Sequence, residues 1–76
     1  MNKDRRQRLR FCIDKLTELA VGIETICSEE EEAYQNMPEG LQSSDRGQKM
    51  EFNVDTLQEI VSTIQEVGSL LEEVIE

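Results

Sequence analysis

Residues 36–40 read Asn-Met-Pro-Glu-Gly, and this NMPEG stretch divides the chain into two long amphipathic runs. Pro38, the single proline, pushes Met37 out of helical space, and Gly40 tolerates a left-handed turn. A helix arriving from the N-terminal side must therefore end here. Working backward, apolar residues recur at helical spacing: Leu9, Cys12, Ile13, Leu16, Leu19, Ala20, Ile23, Ile26 and Cys27, then Ala33, Tyr34 and Met37. With Leu9 as heptad position a, they occupy a, d and e, a stripe wide enough to meet more than one neighbour. Glu30 interrupts it at an a position, inside the run Glu29 to Glu32, so the seam is expected to splay or meet water there.

Working forward from the break, a second stripe runs from Met50 through Val54, Leu57, Ile60, Val61, Ile64, Val67, Leu71, Val74 and Ile75. Ser43, Ser44 and Asn53 could each cap this helix. Ser44 is favoured, with Gly47 weakening the first turn if the helix starts there. Gly68 falls on the seam, where it either admits a close neighbour or is merely tolerated. The expected organisation is one domain over 1–76, with helix 1 over about 3–36, a turn over 37–43 and helix 2 over about 44–75.

Two helices of this length joined by a short turn pack antiparallel, so the fold class is all-α, a long antiparallel helical hairpin. Folding about residue 41 brings Arg5, Arg6 and Arg10 alongside Glu72, Glu73 and Glu76. Each cluster sits at the unfavourable end of its own helix dipole, and pairing across the hairpin would offset that. Phe11, Val21, Phe52 and Leu70 fall off the stripes. Isolated exposed apolar residues are ordinary, but together with such wide stripes they point to two hairpins dimerising into a four-helix bundle.

A chain of 76 residues buries too small a core to be comfortable alone, so a staple, metal or partner is expected. The two cysteines, Cys12 and Cys27, lie on one helix about 22 Å apart, too far to bridge within the chain. They read as free thiols in a reducing compartment, which places the protein in the cytoplasm. Neither a signal peptide nor a membrane anchor is apparent, because no apolar run reaches spanning length. The net charge of −9 is unevenly placed: six of the eight basic residues lie in residues 1–15, and the remainder of the chain is strongly acidic. Such a body repels nucleic acid and attracts a basic surface.

Histidine is absent, removing the usual general base and the commonest transition-metal ligand. Both cysteines occupy the apolar stripe, and no Gly-rich phosphate loop is present. Consecutive carboxylates Glu29, Glu30, Glu31 and Glu32 point in different directions around a helix, a poor cage for a cation. No catalytic residue, metal site or cofactor is expected, and the chain does not read as an enzyme. The acidic run is either an ordinary solvated face or a surface complementary to a basic partner. The basic segment Arg5-Arg6-Gln7-Arg8-Leu9-Arg10 could touch phosphates, but the acidic bulk and the lack of an aromatic platform weigh against nucleic acid.

The segment Glu29–Gly47, EEEEAYQNMPEGLQSSDRG, resembles a stretch found in small uncharacterised acidic helical proteins of phages and mobile elements of Gram-positive bacteria. The match covers about a quarter of the chain and carries no activity or binding residues. What it implies is genomic context, in which small acidic proteins occupy positively charged surfaces of host nucleic-acid enzymes. Carboxylates spaced along a rigid helix can imitate phosphate charge and gain association rate by steering. The expected function is a self-associating, non-enzymatic interaction module that binds and inhibits a basic host protein. The residues expected to carry it are Glu24, Glu29, Glu31, Glu32, Glu39 and Asp45, with Tyr34 as an anchor. The alternatives are an accessory nucleic-acid binder acting through residues 3–15 and a purely structural assembly part.

Overall fold

In the computed structural model, which describes residues 1–76, the first helix begins where its sequence can satisfy it. Asn2 is extended and its side-chain oxygen accepts from the Arg5 backbone N–H at 2.8 Å. Helix α1 then runs without interruption over Lys3–Gln35. After the connection, which includes a single helical turn α2 over Glu39–Gln42, helix α3 spans Asp45–Ile75. No strand is present, and α1 and α3 lie against each other along a body 58 × 15 × 13 Å in extent. The chain is an all-α helical hairpin, one layer thick.

The connection differs from a glycine turn. Pro38 is extended and starts α2, whose Leu41 N–H donates to the Pro38 carbonyl at 2.8 Å. Gly40 lies inside that turn, and no residue of the chain has positive φ. The proline alone breaks the helix, by the restriction it places on Met37. Carbonyls at the end of α1 and just beyond it are then met by a side chain. The Gln42 amide donates to the carbonyls of Tyr34 at 3.2 Å and Met37 at 3.4 Å. The Tyr34 carbonyl also accepts from the Met37 N–H at 3.1 Å, whereas the Met37 carbonyl has the Gln42 amide as its partner.

Ser44 caps α3: its hydroxyl oxygen accepts from the Gly47 N–H at 3.3 Å, while the hydroxyl itself donates to the Leu41 carbonyl. Gly47 is buried and does more than weaken the first turn. A Cβ there would overlap the Gln42 carbonyl group and lie 2.8 Å from the Gln42 Cα. The close approach of α3 to the end of α2 therefore depends on glycine. Gly68, by contrast, has nothing within 4 Å of where a Cβ would stand, so no close helix approach exploits it.

Between the helices only Ala20, Cys27, Val54 and Val61 are buried apolar residues. The Cys27 thiol donates to the Val54 carbonyl at 3.5 Å, tying the middle of the seam together. Cys12 and Cys27 are both free thiols, the first exposed and the second buried. Of the three tracks in the α1 stripe, two form this seam: Leu9, Leu16, Ile23 and Glu30 with Ile13, Ala20, Cys27 and Tyr34. The third, Cys12, Leu19, Ile26 and Ala33, remains exposed, with Leu19 at 57% and Ile26 at 56%. A hairpin has one seam, and two tracks per helix are enough to fill it.

Glu30 does not splay the seam. Half-buried, its carboxylate accepts a 2.9 Å hydrogen bond from the Asn53 side chain on α3. The expected ion pairing at the other end does not form. The only pairs within 4.0 Å are Arg8–Asp4 and Lys15–Glu18, both inside α1 and both well exposed. Register explains this: with Cys27 opposite Val54 and Tyr34 opposite Glu51, α3 ends near Arg10. Arg10 shares a groove with Glu72 and Glu76, whereas Arg5 and Arg6 lie level with the chain end or beyond it.

Candidate functional site: two unlike edges of the hairpin

Because α1 and α3 are antiparallel, residues flanking the seam of one helix meet the corresponding flank of the other, giving the hairpin two long edges. On one edge Glu24, Ser28 and Glu31 of α1 share a groove with Gln58, Ser62 and Gln65 of α3. A neighbouring groove toward the turn is bounded by Glu31 and Tyr34 of α1 and by Glu51 and Asp55 of α3. The Tyr34 hydroxyl donates to a Glu51 carboxylate oxygen at 3.4 Å, bridging the helices. This edge continues to the open end through Asp14, Glu72 and Glu76, with Arg10 the base among them.

The opposite edge is apolar. There Ile26 of α1 shares a groove with Phe52, Asn53 and Thr56 of α3. Seven-residue steps from Ile26 lead to Leu19 and Cys12, and from Asn53 to Ile60, Val67 and Val74. Ile60, Val67 and Val74 are 40%, 42% and 52% exposed. Both exposed aromatic rings carry a cation over one face: Lys15 Nζ stands 5.2 Å from the Phe11 ring centre, and Lys49 Nζ 4.8 Å from that of Phe52. Lysine stems laid over these rings cover part of their apolar surface.

The structure divides the residues expected to bind a partner. Glu24, Glu31 and Tyr34 come together on the polar edge. Glu29 borders the groove on the apolar edge, and Glu32 is exposed on α1 outside both groove systems. Glu39 belongs to α2 in the connection and Asp45 is the first residue of α3, so both lie at the turn end. Glu51 and Asp55 join the polar edge although the sequence reading passed over them. They flank Val54 on α3, and the track Glu51, Gln58, Gln65, Glu72 recurs every seventh residue, which is the signal that marks them.

No group of three or more histidine, cysteine, aspartate or glutamate side chains is arranged to hold a metal ion. No helix is long and apolar enough to cross a membrane. Compared with family models, with curated proteins and with solved structures, the chain matches none.

Proposed function

We propose that this chain is a non-enzymatic protein-interaction module that self-associates through its apolar edge and offers its polar, acid-rich edge to a basic protein surface. The observation that carries this reading is the segregation itself. Leu19, Ile26, Ile60 and Val67 stand on one side of the seam, and Glu24, Glu31, Glu51 and Asp55 on the other. Apolar surface on both helices, beside a seam that buries only four apolar residues, supports a four-helix bundle with a larger common core. In such a bundle the acidic edge stays in water. Its carboxylates are held on rigid helices, and Tyr34 lies among them as an amphipathic contact residue. A basic nucleic-acid-handling protein in the cytoplasm of a phage or mobile-element host fits this charge, and occupation of such a surface would inhibit it.

Retention of a basic protein from host lysate by the immobilised chain tests the reading. Glu24→Lys, Glu31→Lys and Glu51→Lys together should abolish retention, whereas Glu59→Lys and Glu66→Lys, at exposed α3 positions outside these grooves, should not. Retention unaffected by the first set would remove the acidic edge from consideration.

One observation favours a second reading, an accessory nucleic-acid binder. No cross-helix ion pair occupies Arg5, Arg6 or Arg10, which leaves a basic arm available to phosphates. A gel shift at low salt that disappears with Arg5→Ala, Arg6→Ala and Arg8→Ala would select it.

A further inference from the structure

The apolar edge leaves open which way round a partner lies on it, and the charge along the hairpin answers that. The open end, residues 3–15 with 68–76, carries six bases and five acids. The turn end, residues 27–56, carries eight acids and two bases. Two hairpins laid side by side with turns together would bring eight acids against eight. Laid with turns at opposite ends, each acidic turn meets a basic arm. Resting on the self-association reading above, we infer that the occupant of the apolar edge is a second copy of this chain in the opposed orientation, related by a two-fold axis that crosses α1 at Leu19.

The position of the axis follows from spacing. Leu19 is the middle residue of α1, Lys3–Gln35. An antiparallel α1–α1 contact centred there sets Leu19 against the partner's Leu19 and Cys12 against the partner's Ile26. On the adjoining track it sets Arg8 against the partner's Glu29 and Lys15 against the partner's Gly22. Cys12, Leu19 and Ile26 thus each meet an apolar residue, Ala33 meets the stem of the partner's Arg5, and Arg8 meets an acid. Gly22 fits this arrangement. No neighbour within 4 Å of its Cβ position requires glycine there, and it lies in a shallow groove between Lys15, Leu19 and Ile26 that can receive the partner's lysine stem. The face is large enough: 58 by 15 Å is comparable to the roughly 800 Å² per partner that specific interfaces bury.

The opposed dimer also separates the two acidic groups. Glu29 is engaged by the partner's arm, while Glu24, Glu31, Glu51 and Asp55 on the far edge remain free. The basic arm has only the exposed local pairs Arg8–Asp4 and Lys15–Glu18 and none to α3, so it gains further counter-charge from the second copy.

Light scattering combined with thiol cross-linking tests the arrangement. In a Cys12→Ser background, Leu19→Cys should form an intermolecular disulfide on mild oxidation, since disulfides require Cα atoms within about 7 Å and the opposed axis brings these two residues together. With turns together the two α1 helices are diagonal, and the link cannot form. Because Leu19→Cys removes apolar surface, a charge-reversal cycle on the otherwise unaltered chain reads the same orientation. Arg8→Glu should raise the dimer dissociation constant roughly tenfold, from two symmetric contacts, and adding Glu29→Arg should restore it. A dimer showing neither the disulfide nor the restoration overturns the orientation and leaves self-association standing. A monomer up to millimolar concentration overturns self-association itself.

Discussion

Asn53 on α3 donates its side-chain amide to the Glu30 carboxylate on α1 at 2.9 Å, a polar clasp inside an otherwise apolar seam. It converts the one acidic interruption of the α1 seam into a cross-helix contact. Removing the donor leaves a half-buried carboxylate with no partner in that position, so Asn53→Ala should destabilise the fold by about 1–2 kcal/mol. Replacing both residues by leucine removes the desolvation problem along with the bond, and should be neutral or stabilising. Urea denaturation of the two single variants and the double variant gives the cycle. A double variant no more stable than the worse single one would show that the clasp contributes more than the apolar seam it displaces.

Gly47 and Gly68 are both helical glycines of α3 with opposite expected responses. Gly47→Ala forces a methyl group into the Gln42 backbone and should cost about 1–3 kcal/mol. Gly68→Ala meets nothing within 4 Å and should gain up to about 1 kcal/mol from helix propensity. Thermal unfolding followed by circular dichroism distinguishes them, and equal shifts would mean that the contact at Gly47 does not persist in solution.

Three side chains hold the connection: the Ser44 cap, the Gln42 amide and the Gln48 amide, which donates to the Ser43 carbonyl at 3.2 Å. Ser44→Ala should cost about 1 kcal/mol by leaving the Gly47 N–H without its acceptor. Gln42→Ala frees the Met37 carbonyl and leaves the Tyr34 carbonyl with the Met37 N–H alone. Hydrogen exchange should then accelerate first at the end of α1 and the start of α3, with the centre of the seam near Cys27 and Val54 unchanged. Uniform acceleration along both helices would contradict a locally held connection.

Salt should stabilise this hairpin. Without an ion pair between the helices, and with Glu31, Glu51 and Asp55 crowded on one edge, repulsion among acids outweighs attraction. The melting temperature should therefore rise as sodium chloride increases from about 0.02 to 0.5 M, across the range where the Debye length shortens past side-chain separations. A fall would indicate that pairs such as Arg10 with Glu72 form in solution and carry the register.

Helix identity, the break at Pro38 and the Ser44 cap were all legible as local chemistry. Periodicity, a fixed proline φ and a hydroxyl beside free N–H groups act within a few residues of one another. The role of Gly47 was not legible, because its reason is a backbone segment five residues away that approaches only once α2 has formed. Glu30 was legible as an interruption but not as a hydrogen-bonded one, since Asn53 is 23 residues distant and meets it only through the hairpin register.

The candidate site follows the same division. A list of acids could be read directly from the chain, and it mixed residues from the polar edge, the apolar edge, the outer surface of α1 and the turn end. Spacing along each helix established that there would be two amphipathic helices with a stripe too wide for one seam. Which tracks enter the seam depends on the relative rotation of the helices, set by contacts between residues far apart in the chain. That rotation buries Ala20, Cys27, Val54 and Val61, and it leaves Leu19 and Ile26 on one edge with Glu24 and Glu31 on the other. Local periodicity specifies a helix and its stripe, and only packing against the second helix turns that stripe into a seam and two unlike edges.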